Sequence, residues 1–143
     1  MTSRRRLFRV LDANLNRARE GLRVCEEIAR LILDDAALTR RVQRLRYAVD
    51  RAGRSLPRKN LLKGRDSQRD VGRPEKRGLV SGHRDIRDLS AANLKRVQEA
   101  LRVLEEFSRL VKPQAGRTFG SLRFKVYSLE KIFDSRSASL RHR

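Results

Sequence analysis

The chain has 143 residues, with 36 Lys and Arg against 17 Asp and Glu, a formal net charge of +19 and one cysteine. That length suits one domain with a modest core; no apolar run reaches the roughly 18 residues of a membrane span, and a lone Cys25 rules out an internal disulfide framework. The hydrophobic fraction of 38% is low but concentrated on helical stripes, which argues against disorder, and the basic balance leaves nucleic acid and small phosphorylated molecules as partner classes.

The N-terminus, MTSRRRLFRV, carries arginines without an apolar run of export-signal length, so a cytoplasmic protein is expected. Residues 7–53 read as a helical hairpin. At about 100° per residue, Leu15, Ala18, Leu22, Cys25, Ile28, Ala29 and Ile32 form one apolar stripe. Asn14 falls within this stripe and Arg17 at its edge; Glu20 and Glu27 flank it, while Arg19, Arg23, Glu26 and Arg30 point away. A buried Asn or Arg is costly unless it finds a partner. After Asp34 and Asp35, a helix start, Leu38, Val42, Leu45, Val49 and Ala52 continue the period until Gly53.

Periodicity fails over 54–89, where Pro57, Gly64, Gly72, Pro74, Gly78 and Gly82 accumulate. A connection this long is a functional or a disordered loop. Its core, Lys63 to Gly72, offers cations (Lys63, Arg65), small residues that admit a phosphate (Gly64, Gly72) and two carboxylates (Asp66, Asp70) suited to a divalent ion, though not at P-loop spacing. His83 reads as a loop residue. Residues 90–133 form a second hairpin, with Phe119, Leu122, Val126, Leu129 and Phe133 in period after Pro113, and 134–143 a basic tail.

The two hairpins are copies. NLNRAREGLRVCEEIAR from Asn14 recurs as NLKRVQEALRVLEEFSR from Asn93, without gaps, and Leu45-Arg46-Tyr47 recurs as Leu122-Arg123-Phe124 with two residues lost between the helices. Polar identities recur with the apolar ones, which packing alone does not demand, so Asn14, Arg17 and Glu20 with Asn93, Arg96 and Glu99 are read as a paired site. Glu26, Glu27, Glu105 and Glu106 read as a solvated face, and Phe107, Phe119, Tyr127 and Phe133 as core. The expected fold is all-α: one domain, a duplicated helical hairpin forming an antiparallel four-helix bundle with a long functional middle loop. Such a unit can complete its site with a second chain, which leaves a homodimer open.

DANLNRAREGLRVCEEIAR, GRDSQRDVG, AANLKRVQEALRVLEEFSRL and LRFKVYSLEK together resemble a bacterial family of hydroxymethylpyrimidine phosphate kinases, from about Phe8 to Phe133. Domains of that family occur alone or fused ahead of a thiamine-phosphate synthase. The resemblance implies ATP-dependent phosphorylation of 4-amino-5-hydroxymethyl-2-methylpyrimidine phosphate to its diphosphate in thiamine biosynthesis, and association with the synthase. This sequence ends in DSRSASLRHR with no synthase barrel, so a stand-alone protein or a piece of a fusion is expected. Two polyanionic substrates require Mg2+ and cationic donors. Arg17 and Arg96 suit a bidentate phosphate clamp, Lys63 and Arg65 a closing loop, Asp66 and Asp70 the metal with Glu20 or Glu99 as alternatives, and Asn14 and Asn93 the reading of a base edge. A charge of +19 exceeds what such a kinase needs, which keeps a basic helical nucleic-acid binder as the alternative.

Overall fold

The apolar periods all fold as helices in a computed structural model that describes residues 2–72 and 82–142, and no strand occurs among the described residues. Helix α1 spans Ser3–Glu27 and is capped by Thr2, whose Oγ1 accepts from the Arg5 N–H at 3.2 Å. A π-helical turn, Ile28–Ile32, follows it. Asp34 then takes a left-handed conformation (φ 50°), which Asp tolerates better than most residues. Asp35 caps α2, Ala36–Arg54, by accepting from the Leu38 N–H at 2.9 Å. Helix α3, Arg58–Gly64, lies in the segment expected to be irregular. Helix α4, Ile86–Ser108, starts on Asp85, and α5, Pro113–Ala138, has Pro in its first turn, where the missing N–H costs nothing. Pro74 and Gly78 lie outside the described residues.

Helix α1 packs on α4, α2 and α3, and α5 packs on α4 and α2, so the four long helices close a ring of contacts compatible with a four-helix bundle. The seam between the copies is dry. Leu11, Leu15, Ala18 and Leu22 from α1 and Leu94, Val97, Leu101 and Leu104 from α4 are fully buried. At Gly21 the approach is close: a Cβ there would sit 2.6 Å from Val97 Cγ2 and 3.1 Å from the Asn93 carbonyl oxygen. Gly53 does not stop α2 through a left-handed turn, since no described glycine has positive φ. It lies inside the helix, where a Cβ would meet Leu15 Cδ2 at 3.0 Å. Phe119 and Phe133 are core as expected, whereas Phe107 and Tyr127 are 37% and 45% exposed. At about 100° per residue Phe107 falls at the margin of the α4 stripe, and Tyr127 falls on the far side of α5, where its hydroxyl accepts from Arg123 Nη1 at 3.3 Å.

Glu26 and Glu105 correct the expectation of a solvated acidic face: both are buried. Glu26 Oε1 accepts from Arg46 Nε at 2.9 Å across the first hairpin, and Glu105 Oε1 accepts from Arg123 Nε and Nη2 at 3.3 and 3.2 Å across the second. Each arginine also lies over its neighbouring ring, Arg46 on Tyr47 at 5.0 Å and Arg123 on Phe124 at 4.9 Å. The duplication thus repeats a carboxylate–guanidinium clamp. The hydrogen bond to Glu26 raises the Arg46 pKa further; for Arg123 the leading cause is its bond to the Tyr127 hydroxyl, with Glu105 next. Arg19, expected to be solvated, donates from Nε to Asp50 Oδ1 at 2.6 Å, and Gln98, at the matching place in the second copy, donates to Glu130.

Three outcomes follow from this packing. Arg46→Ala leaves the buried Glu26 carboxylate only the long 3.5 Å contacts of Arg23 and Gln43 and should cost about 3 kcal/mol, read from urea denaturation, whereas Glu26→Leu combined with Arg46→Leu should cost less than Arg46→Ala alone. Gly21→Ala should cost about 1 to 3 kcal/mol through the stiff Val97 side chain, and Val97→Ala in the same chain should recover part of that loss. Burial pushes the Cys25 thiol from 9.0 to about 12. The folded state therefore holds the proton more tightly; this contribution to stability is complete below about pH 9 and is lost as pH rises towards about 12. The native thiol should resist a disulfide reagent at pH 8 and react at once in urea.

Candidate functional site

Along the α1–α4 seam the apolar stripe gives way at its edge to polar residues, and an open cleft of about 990 Å³ lies there. Its walls come from matched positions of the two copies: Asn14 and Asn93, Arg17 and Arg96, Glu20 and Glu99. Gly21 with Ala100 and Val24 with Val103 complete the paired lining, and Ser67, Gln68, Asp70 and Gly72 of the middle segment close one side.

The two asparagines are held alike. Asn14 Nδ2 donates to the Val10 carbonyl and Asn93 Nδ2 to the Leu89 carbonyl, each at 2.9 Å and each one helical turn back. One N–H of each amide is thereby spent on its own helix, which fixes the side chain's direction; the Asn14 oxygen also accepts a long 3.4 Å bond from Arg17 Nη1. Arg17, Glu20, Arg96 and Glu99 are exposed, and no ion pair joins any of them to the described residues. Their spacing of three residues would allow Arg17–Glu20 and Arg96–Glu99 pairs, yet neither forms within 4 Å. Carboxylates in the rest of the fold are largely taken up: Asp12, Glu26, Asp50, Asp88, Glu105 and Asp134 all hold arginines. In the cleft, by contrast, guanidinium and carboxylate groups at matched positions of the two copies stand without ion-pair partners among the described residues.

The middle segment divides. Asp70 and Gly72 line the cleft, with Asp70 Oδ1 accepting from the Gly72 N–H at 2.9 Å. Lys63, Gly64, Arg65 and Asp66 do not belong to that lining. Arg65 grips Asp12 with two bonds of 2.7 Å, which raise its pKa. Gly64 is a helix-crossing residue, since a Cβ would lie 2.7 Å from the Arg9 backbone nitrogen. The Lys63 carbonyl accepts from Arg5 Nε at 2.8 Å, and the Asp66 carbonyl from Arg9 Nη2 at 2.9 Å. Asp66 Oδ1 closes a turn by accepting from the Arg69 N–H at 3.2 Å. These residues strap α3 and the chain beyond it onto α1, and so place Ser67 to Gly72 over the cleft.

Sequence reasoning missed Asp12, Ser67 and Gln68. For Asp12 a signal existed: the first copy reads DANLNR where the second reads AANLKR, so the partner of Arg65 is present in one copy only. The strap therefore binds the middle segment to the first copy and makes a symmetric cleft asymmetric. No group of three or more His, Cys, Asp or Glu positioned for a metal occurs among the described residues. The cleft carboxylates Glu20, Glu99 and Asp70 fit magnesium only as it usually binds with nucleotides, through one or two carboxylates with phosphate oxygens completing the shell.

A family model described as the ThiD2 family matches residues 9–132. The chain is 43% identical over 124 residues to a thiamine-phosphate synthase of Synechocystis, an alignment covering 87% of this chain and 35% of that protein. It is 36% identical to that of Rhodopirellula baltica over 97% of this chain and 37% of the relative, and 40% identical to that of Nostoc punctiforme over 87% and 34%. The chain thus spans about a third of the length of these curated relatives. No solved structure matches, and no described helix is long and apolar enough to cross a membrane. With 124 of its 143 residues aligned, the chain belongs to the ThiD2 family.

Proposed function

We propose that the chain is a kinase that transfers the γ-phosphoryl group of ATP to 4-amino-5-hydroxymethyl-2-methylpyrimidine phosphate, giving the diphosphate used in thiamine biosynthesis. The observation that carries this reading is the pair Arg17 and Arg96, two unpaired guanidiniums on matched positions of one cleft. The relatives named above are thiamine-phosphate synthases, which supports the pathway.

An oxygen of the monoester phosphate attacks the γ-phosphorus, a new P–O bond forms, and the bond to the bridging oxygen of ADP breaks. The acceptor is already largely a dianion at neutral pH, with a second pKa near 6. No strong general base is needed, so catalysis rests on positioning and on stabilising charge spread over the transferred group. Arg17 and Arg96 supply bidentate donors to the two phosphate ends, and Asn14 and Asn93 offer their remaining amide groups to a base edge. Magnesium arriving with the nucleotide would neutralise phosphate charge, with Asp70, Glu20 or Glu99 as its protein ligands. Arg65 acts as a positioning residue through Asp12. Ser67 and Gln68 complete the wall on the side where the strap holds them.

Purified protein should form the diphosphate only with both ATP and Mg2+. Arg17→Lys and Arg96→Lys should each lose at least about tenfold in kcat/KM, roughly 1.4 kcal/mol of transition-state binding, because Lys lacks the planar fork. Their thermal midpoints should be unchanged. Arg30→Lys, outside the cleft, should be silent. Full activity in both cleft variants, or a fall in midpoint with activity per folded molecule intact, would make these arginines structural and remove the basis of the reading.

A further inference from the structure

The proposed catalytic cleft does not account for the charge of the chain, since its lining sets two arginines against the carboxylates Glu20, Glu99 and Asp70. The excess gathers on another face. Between α2 and α5 run two adjoining grooves of about 290 and 540 Å³, which share Ala48, Leu122 and Lys125. Arg41, Arg44, Arg51, Lys112, Arg117 and Lys125 line them, and neither lining contains an acidic residue. No ion pair engages any of these six among the described residues; Arg117 bonds only Gln114, and Lys112 the Ser55 carbonyl. Ser121 and Ser128 add hydroxyl donors along the same walls.

From Arg41 to Arg51 the groove follows α2 for about 15 Å at the usual helical rise. With Lys112 reaching the Ser55 carbonyl, the six cations span about 21 Å of α2 at that rise, one charge per roughly 3.5 Å, close to the spacing of about 3.4 Å per phosphate along one strand of duplex DNA. Arginine and hydroxyl side chains are the groups that contact phosphate backbones, and the walls present no base-reading motif. A second copy of this face would be repelled by like charge. We infer that the α2–α5 groove binds the phosphate backbone of nucleic acid, by charge and without sequence preference, independently of the catalytic cleft.

The test is a salt titration of binding to a labelled duplex of about 20 base pairs, followed by fluorescence anisotropy. With six phosphates neutralised, affinity should fall about 10^3-fold between roughly 50 and 200 mM salt. Replacing Arg41, Arg44, Arg51 and Lys125 together by Gln should reduce that fall to about tenfold, with the helical circular dichroism and the kinase rate unchanged. Removing the same charge elsewhere, as Arg6→Gln, Arg30→Gln, Lys59→Gln and Lys95→Gln in one chain, should leave the steep dependence in place. Equal loss in both variants would mean diffuse attraction to the whole surface and would overturn the groove. So would absence of binding by the wild type at low salt, or displacement of the duplex by poly-glutamate as readily as by unlabelled duplex, which would assign the face to an acidic protein.

Discussion

The packing of α1 against α4 is the constraint on which the rest of the molecule depends. Each helix carries the same apolar stripe, and neither can bury it alone, so the two copies meet face to face along Leu11 to Leu22 and Leu94 to Leu104. Gly21 lets the backbones approach where a larger residue would strike Val97 and the Asn93 carbonyl. Once that seam closes, polar residues at the edge of both stripes are carried into one cleft without any further instruction. A duplicated helix thereby converts one Asn, Arg and Glu set into two sets lining a common space.

Charge placement in the rest of the fold leaves the cleft arginines without ion-pair partners among the described residues. The buried Glu26 and Glu105 are satisfied by Arg46 and Arg123, which tie each hairpin across its own helices. Asp12 takes Arg65, and Asp50 takes Arg19. Removing the arginine from Glu26 or Glu105 leaves a buried carboxylate with little solvent to replace its partner, so those two contacts are structural obligations. Arg17 and Arg96 carry no such obligation. They face solvent in a cleft whose shape is set by other residues, and are therefore available to a phosphorylated ligand at little cost to the fold.

The helical architecture, the duplication and the helix start at Asp35 were legible because they rest on local signals: period, repeated identity and capping chemistry. Asn14, Arg17 and Glu20 with their counterparts could be placed in one cleft from the same repeat. What could not be read depends on partners distant in sequence. Arg65 meets Asp12 across 53 residues, and Glu26 meets Arg46 across 20. An angular projection of one helix shows Glu26 pointing away from the stripe but not that α2 lies there. The repetition of Arg46 as Arg123 beside that of Glu26 as Glu105 was the available clue, and it shows that part of the polar identity in the copies serves structure. Helix α3 is only 7 residues long, too short for a period to declare itself.

In the proposed reading, matched residues of the two copies bind ligand phosphates in the α1–α4 cleft. The most direct measurement of that binding is a nuclear magnetic resonance titration of the folded protein with Mg2+ and a non-hydrolysable ATP analogue, following the Asn side-chain amides and Arg Nε–H groups. Saturable shifts are expected at Arg17 and Arg96 Nε–H and at the Asn14 and Asn93 amides, with Arg41 and Arg44 little moved. Shifts confined to the α2–α5 groove, or none at the cleft with the analogue in excess, would contradict it.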